Sequence, residues 1–460
     1  MDKNEIEPKV LSKNEIVEKL TKFEPEELEK CMERNLCPIL EDVILYQGTP
    51  GAATVKDTEG RVHIDFTSQA WTLGTGFCQG DVGFAAVEQI KHLTHTRNHY
   101  YTIPHIKLIN RLTDLAPGNL KKVAFNNQGG SLAVEGAMKL AMASKPGASL
   151  FITAQRAYQG NTLATLGATQ YMPDIVRFPG FGLEHFVKVP YPYCYRCPFG
   201  QEHPGCDLSC LSAAKNTIEM GVNLPIAGVI VEPIIGSGGD IVPPQEYLRG
   251  LRGICDDYDI LLIFDESQTA FGRIGKMFAA EHFDVMPDIM ALTKALGGGF
   301  PLGATLARED LEPFTAGEFH TTFSSFPISF ATALINLDVI ERLNIPQKAR
   351  EMGDYFMRRL GELQEKYRII GDIRGVGLMI GVEFVKDRKT KEPATEEADE
   401  IVYEAKERGL ICDLHMPIMT PKGEMIRNIM PIKPPIVITK EEADRGFEIF
   451  EDALKKVAGE

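Results

Sequence analysis

The chain has no excess of positive charge, no long apolar run and no secretory leader, and each absence removes a class of function. Its 49 lysines and arginines stand against 64 aspartates and glutamates, a formal net charge of −15 at pH 7, whereas a nucleic-acid footprint is basic and clustered. No apolar stretch is long enough to cross a bilayer. The charged opening Met1-Asp-Lys-Asn-Glu-Ile-Glu7 also lacks the apolar core and cleavage site of a signal peptide. These features predict no nucleic-acid partner, no membrane association and a cytoplasmic location. Nine cysteines among 460 residues, with no leader, do not suggest a disulfide framework and are expected to be mostly reduced thiols. Internal repeats and low-complexity tracts are also absent.

What is present is ordinary globular composition, 44% hydrophobic and 25% charged, in a chain long enough for one large domain and a smaller one. Ser12 and Glu15 have capping-box spacing ahead of Ile16 and Leu20, which predicts a short amphipathic helix in an N-terminal arm. A second helix is predicted from about residue 25 to 35, then a hairpin over Thr54–Phe66. From about residue 67 to 330, apolar strands such as Val123-Ala-Phe125, Gly228-Val-Ile-Val-Glu232 and Ile260-Leu-Leu-Ile-Phe264 alternate with helical stretches. That alternation predicts an α/β domain with a mainly parallel sheet flanked by helices. Residues 331–460 carry a long helical pattern from Ile345, one strand over Ile373–Phe384, and a final helix capped by Thr439 and Glu442. With residues 1–66 they are expected to form a smaller α+β domain from both chain ends.

The chemistry concentrates in two places. Lys294 lies in Ala291-Leu-Thr-Lys-Ala-Leu-Gly-Gly-Gly-Phe-Pro-Leu-Gly-Ala304, and Asp265 ends the apolar run Leu261-Leu-Ile-Phe-Asp265. A desolvated lysine loses its proton readily and forms a Schiff base with an aldehyde. A carboxylate against a pyridine nitrogen keeps that ring protonated and able to accept electrons. The pair points to pyridoxal 5'-phosphate. Gly130 and Ser131, in Phe125-Asn-Asn-Gln-Gly-Gly-Ser131 ahead of a helical stretch, are candidates for cradling its phosphate on free N–H groups.

The ordered set Glu232-Pro233, Ile263-Phe-Asp-Glu-Ser-Gln-Thr-Ala-Phe-Gly-Arg273, Thr293-Lys294 and Gly303 resembles the class III, or omega, aminotransferase family. The resemblance covers most of the chain and implies a fold type I homodimer with a shared active site, acting on an amine donor and a keto-acid acceptor. It also implies roles: Tyr158 stacks on the cofactor ring, Gln268 contacts its phenolic oxygen, and Thr322 reaches the phosphate of the neighbouring subunit. Two rivals follow from the same residues. An amino-acid racemase or epimerase would return the proton to the opposite face of the substrate carbon. An inactive homologue without cofactor is opposed by intact Lys294, Asp265 and Gln268.

The family pattern breaks on the substrate side. Leu132 stands where a glutamate is usual, Gln159 for a histidine, Ser237 for a switch glutamate and Phe326 for an asparagine. Pro431 occupies the place of the carboxylate-binding arginine in Met430-Pro-Ile-Lys-Pro-Pro-Ile436. Arg427 and Lys433 nearby read as surface residues. These changes predict a more apolar pocket, and either an arginine elsewhere that reads the donor carboxylate or a donor with a remote or masked acid, such as a β- or ω-amino compound, an ester or a thioester. Separately, Cys194, Cys197, Cys206 and Cys210 are spaced to hold zinc or an iron–sulfur cluster, with a loop of reduced thiols as the alternative. His92, His95 and His99 have a spacing that would gather them on one helical face.

Overall fold

The computed structural model describes residues 11–37, 39, 43–170, 183–420 and 422–459, so the charged opening of the chain lies outside the described residues. Its centre is a seven-stranded sheet. Across the sheet the strands run Leu120–Asn126, Gly303–Arg308, Ile289–Leu292, Leu261–Asp265, Ile226–Val231, Leu150–Ala154 and Phe186–Val189. All neighbours pair parallel except Gly303–Arg308, which is antiparallel to both strands beside it. Strands Leu150–Ala154, Leu261–Asp265 and Ile289–Leu292 are buried along their whole length. Helices therefore cover both faces, and apolar runs without alternation are what such a position demands.

The helix Gly130–Ser144 buries Ala133, Ala137, Leu140 and Ala141 against this sheet. Small side chains on that stripe let helix and sheet approach closely. The helix Pro327–Arg342 returns the chain over the other elements, and its Asn336 reaches back to the segment after the strand Ile289–Leu292.

Both chain ends contribute to one small sheet, in which the hairpin strands Thr54–Asp57 and Val62–Asp65 are joined by the parallel strand Leu410–Ile411. Helices Lys13–Thr21 and Pro25–Arg34 precede it, the first capped by Ser12 and Glu15. The final helix, Lys440–Ala458, starts at a Thr439–Glu442 capping box and buries Phe447, Phe450 and Leu454 completely.

One element differs from the sequence expectation. Ile373–Phe384 is two strands, Ile370–Val376 and Met379–Asp387, paired antiparallel through a tight turn in which Val376 faces Met379. Gly377 takes φ +57° there, a conformation that glycine adopts without the Cβ clash other residues meet. The second strand also pairs with Ile429–Ile432 along its other edge, and it is buried on both faces from Met379 to Val385, so the alternation that suggested one strand disappears.

Candidate active site

A cavity of about 590 Å³ opens at the C-terminal ends of the parallel strands, where an open α/β sheet places its ligands. Gly130, Ser131, Tyr158, Asp265, Gln268 and Lys294 all line it. Thr322 does not; it is exposed on a turn before the helix Pro327–Arg342. Lys294 follows the strand Ile289–Leu292 and opens a single 3-10 turn, Lys294–Gly297. Its φ of +47° is unusual for a residue with a side chain. Neighbouring groups hold that conformation: Asn336 donates to the carbonyl of Ala295 at 2.7 Å, and Thr293 donates to the carbonyl of Leu302 at 2.9 Å. Burial lowers the Lys294 amine below the ordinary lysine range, and the charges of Asp265 and Glu232 offset part of that effect.

Asp265 ends its strand 6% exposed and accepts the N–H of Ser267 at 3.0 Å. Burial raises its carboxyl above the usual range, with Ser267 and Lys294 opposing. A carboxylate so placed gains from a cationic ring nitrogen. Glu232, for which the sequence suggested no role, accepts the N–H of Tyr158 and that of Gly236, each at 2.9 Å, and thereby ties two loops of the cavity wall together. Burial, then the charge of Asp265, pushes its carboxyl up to about 8.

The helix Gly130–Ser144 begins with no side-chain cap, so its first N–H groups and positive dipole end face the cavity rather than a serine or aspartate oxygen. Gly130 permits this: a Cβ there would lie 3.1 Å from the Thr293 methyl group, beside Lys294. Ser131 accepts the N–H of Asn161 at 3.0 Å, joining the helix start to the Tyr158 loop. Gln159, also in the wall, is 1% exposed, and neither end of its amide has a partner among the described residues. An uncapped helix start, a buried amide with unspent capacity, a lysine and a carboxylate together fit a planar, phosphorylated aldehyde.

The Aminotransferase class-III family model matches residues 41–454. The chain belongs to the class III aminotransferase family. A leucine/methionine racemase of Thermococcus litoralis is 37% identical over 88% of this chain and 89% of its own length. An adenosylmethionine-8-amino-7-oxononanoate aminotransferase of Geobacter sulfurreducens is 34% identical over 91% and 93%. Among solved structures, an aminotransferase of Bacillus anthracis superposes with a TM-score of 0.85 at 29% identity, covering 97% of this chain and 100% of that one. This class III protein is therefore a pyridoxal-phosphate-dependent aminotransferase with a fold type I architecture.

Several expectations about the class III enzyme require correction. Lys433 is not a surface residue: it has no exposed surface and lies 2.6 Å from Asp240. Arg427 does reach the surface, paired with Asp399 and Asp413, each at 3.2 Å. Of the substitutions expected to make the site apolar, Leu132 and Phe326 line neither this cavity nor a neighbouring chamber of about 540 Å³, whereas Pro431 lines the chamber.

The four-cysteine expectation of zinc or iron–sulfur is also corrected. Cys194, Cys197, Cys206 and Cys210 wall one hollow of about 20 Å³, but among the described residues no three His, Cys, Asp or Glu side chains form a metal-holding group. Cys194, Cys197, Cys206 and Cys210 form no disulfide with one another. Burial raises the Cys194 thiol and pushes the Cys210 thiol up to about 11. Nor do the three histidines share a helical face. The helix Gly80–His92 stops at the first; His95 packs on Phe323 and His99 on His320.

Proposed function

We propose that the enzyme takes its amino group from a donor without a free α-carboxylate, a β- or ω-amino compound or one whose acid is masked, and passes it to a keto acid. The observation that carries this reading is a wall without arginine. Among the described residues, none lines the cavity or the chamber that adjoins it at Ala70, Trp71 and Met416. The guanidinium fork that suits a carboxylate is replaced by Pro431, and Val43, Leu45, Leu410 and Leu414 make much of the chamber apolar. An apolar arm on the donor gains there by leaving water.

Pyridoxal phosphate, when bound, supplies the aldehyde that captures the amine and the protonated ring that accepts electrons. Gly130 and Ser131 would hold its phosphate at the helix start, Tyr158 would cover the ring, Asp265 would retain a proton on the ring nitrogen and Gln268 would meet the phenolic oxygen. Lys294 would hold the aldehyde carbon and, once the donor amine takes its place there, would carry the proton to and from the donor carbon. Its amine suits this step because burial favours the neutral form and because it stays beside the atoms it has just released.

The active site is shared in a homodimer, with Thr322 serving the neighbouring subunit. Phe323, beside Thr322, is exposed by 51%, an apolar side chain that a second copy would cover. A racemase or epimerase is the second reading, favoured by the relative whose name is leucine/methionine racemase.

Visible spectra of the holoenzyme, taken while β-amino acids, ω-amines, glutamate and both alanine enantiomers are added, test both. Loss of the yellow band with a β- or ω-amine, restored by a keto acid, is the expected result. Response to glutamate or alanine alone refutes the donor class. A persistent yellow band while one alanine enantiomer loses optical purity establishes the racemase.

A further inference from the structure

Lys433 is a charge that ordinary folding does not require. It has no exposed surface, and replacing a buried ion pair with packed apolar side chains is often neutral or stabilising. Its ammonium lies 2.6 Å from Asp240 Oδ1, and the other oxygen of that carboxylate is 2.8 Å from His415 Nε2. The indole of Trp71 covers it, with Nζ 4.3 Å from the ring centroid. The remaining contact is to the active site: Lys433 Nζ donates to Gln268 Oε1 at 3.1 Å.

That contact determines which way the Gln268 amide faces. An ammonium has donors and no acceptor, so only the amide oxygen can lie against it. The Nε2 end is then turned away, and it donates to Ser237 Oγ at 3.1 Å. Bare backbone at Gly236 makes room for the amide, since a Cβ there would stand 2.3 Å from Oε1 and 2.7 Å from Nε2. Having accepted from Gln268, the Ser237 hydroxyl has its own hydrogen to give. Gln268 and Ser237 both line the cavity.

We propose that Lys433 is a positioning residue that locks Gln268 with its N–H end toward the cavity, so that Gln268 and Ser237 present donors to the phenolic oxygen of the bound cofactor. The proposal rests on the cofactor reading above and adds to it a reason for the buried lysine. The cation on the amide oxygen also polarises the opposite N–H groups, which strengthens their bonds to a phenolate. Asp240 and His415 hold the ammonium in place without touching the cavity group themselves.

The test uses the full chain, stripped and reconstituted with pyridoxal phosphate, and removes the ion pair as a unit in Lys433→Met/Asp240→Asn so that no buried charge is left alone. Trp71 is the chain's one tryptophan and lines the cavity, so its quenching reports cofactor affinity. The double variant is expected to bind the cofactor roughly tenfold more weakly, the effect of losing a charge-assisted hydrogen bond. The pH at which its yellow band titrates should move upward, because less positive charge faces the phenolic oxygen. Gln268→Met should do the same, and adding the ion-pair substitutions to Gln268→Met should change affinity less than about twofold, since interacting residues are not additive.

A folded double variant with wild-type affinity and titration overturns the proposal, as does an effect that multiplies in full onto Gln268→Met. A wild-type chain that neither quenches nor turns yellow removes the cofactor reading and this proposal together; a yellow wild type with an unaffected variant removes this proposal alone. If the double variant does not fold, a crystal structure of the wild-type holoenzyme decides. Gln268 bridging Lys433 and the phenolic oxygen supports the assignment, and Gln268 turned away from that oxygen overturns it.

Discussion

Glu232→Gln should invert the order of stability between variant and wild type as pH rises. In the unfolded chain this carboxyl releases its proton near pH 4.5, and in the fold near 8, because burial and then Asp265 disfavour its charge. The fold therefore binds an extra proton between those values. Its stability is whole below pH 4.5 and falls as pH climbs to 8, by about 5 kcal/mol at 1.36 kcal/mol per pH unit. A glutamine stays neutral at every pH, so that loss vanishes. It brings its own penalty: Glu232 accepts from the backbone of Tyr158 and Gly236 with its two oxygens, and an amide has one oxygen, leaving an N–H facing an NH2. That mismatch costs about 1–3 kcal/mol. The curves cross near pH 6, the variant weaker below and stronger above. For a chain of this length about 1 kcal/mol corresponds to roughly 1 °C in Tm. The variant should melt about 1 °C lower at pH 5 and about 3 °C higher at pH 8.5. The assay is thermal melting of cofactor-stripped protein followed by circular dichroism, so that no bound cofactor adds charge to the site. A Tm difference of constant sign across that range refutes the reasoning.

Asp265→Asn cannot hold a proton on the ring nitrogen, so kcat for amine transfer should fall roughly 100-fold or more while the yellow band survives; stopped-flow spectra separate the two. Tyr158→Phe keeps the stacked ring and should leave cofactor affinity within about threefold, whereas Tyr158→Ala should lose roughly tenfold, both by titration of the stripped protein. Pro431→Arg restores a guanidinium to the chamber wall and should raise kcat/KM for L-glutamate at least roughly tenfold relative to a β-amine; an unchanged ratio means the clamp position does not read the donor. Gly160→Ala would place a Cβ 2.5 Å from both Ser131 Oγ and Thr165 Oγ1 at φ +135°, and should lower stability by about 1–3 kcal/mol, seen as a lower Tm.

The large sheet was legible because its strands are buried on both faces and read as continuous apolar runs between helical patterns. Lys294 and Asp265 were legible because one ends a strand and the other follows one, and strand ends in such a sheet point at the ligand. The hairpin at Gly377 was not, since Met379–Val385 is buried on both faces and shows no period of two that could reveal where the first strand stops. Lys433 was misread for a different reason. A lysine in sequence is overwhelmingly a surface residue, and its partner Asp240 lies 193 positions earlier, so no local pattern signals the pair. Glu232 was visible as part of a motif, but its role depends on two backbone N–H groups from separate loops. The cysteine loop failed in the opposite direction: spacing suggested ligands, but among the described residues no three such side chains gather into a metal-holding group.

The segment that brings Trp71 to both lysines is the clearest case of structure overriding local preference. Ser68, Gln69, Ala70 and Trp71 have φ of 46°, 48°, 58° and 67°, one left-handed turn made without glycine. At roughly 1–2 kcal/mol per residue this costs about 4–8 kcal/mol, so its surroundings must impose it. Asp65 accepts the N–H groups of Thr67 at 2.6 Å and Gln69 at 3.1 Å, fixing the entry to the turn. Ser68 donates to the carbonyl of Lys433 and accepts from buried Arg273 at 2.9 Å, fixing the turn against the strand end that carries Lys433. Arg273 in turn donates to the carbonyls of Leu378 and Pro434. One guanidinium therefore braces the left-handed turn, the Gly377 hairpin and the Lys433 segment at once. Because the turn seats Trp71 with Lys433 Nζ 4.3 Å and Lys294 Nζ 5.6 Å from its ring, strain spent there is recovered as geometry at the cavity. Residues in disfavoured backbone regions persist where surrounding contacts overdetermine them, and here those contacts come from Asp65, from the Lys433 segment and from Arg273 between them in sequence.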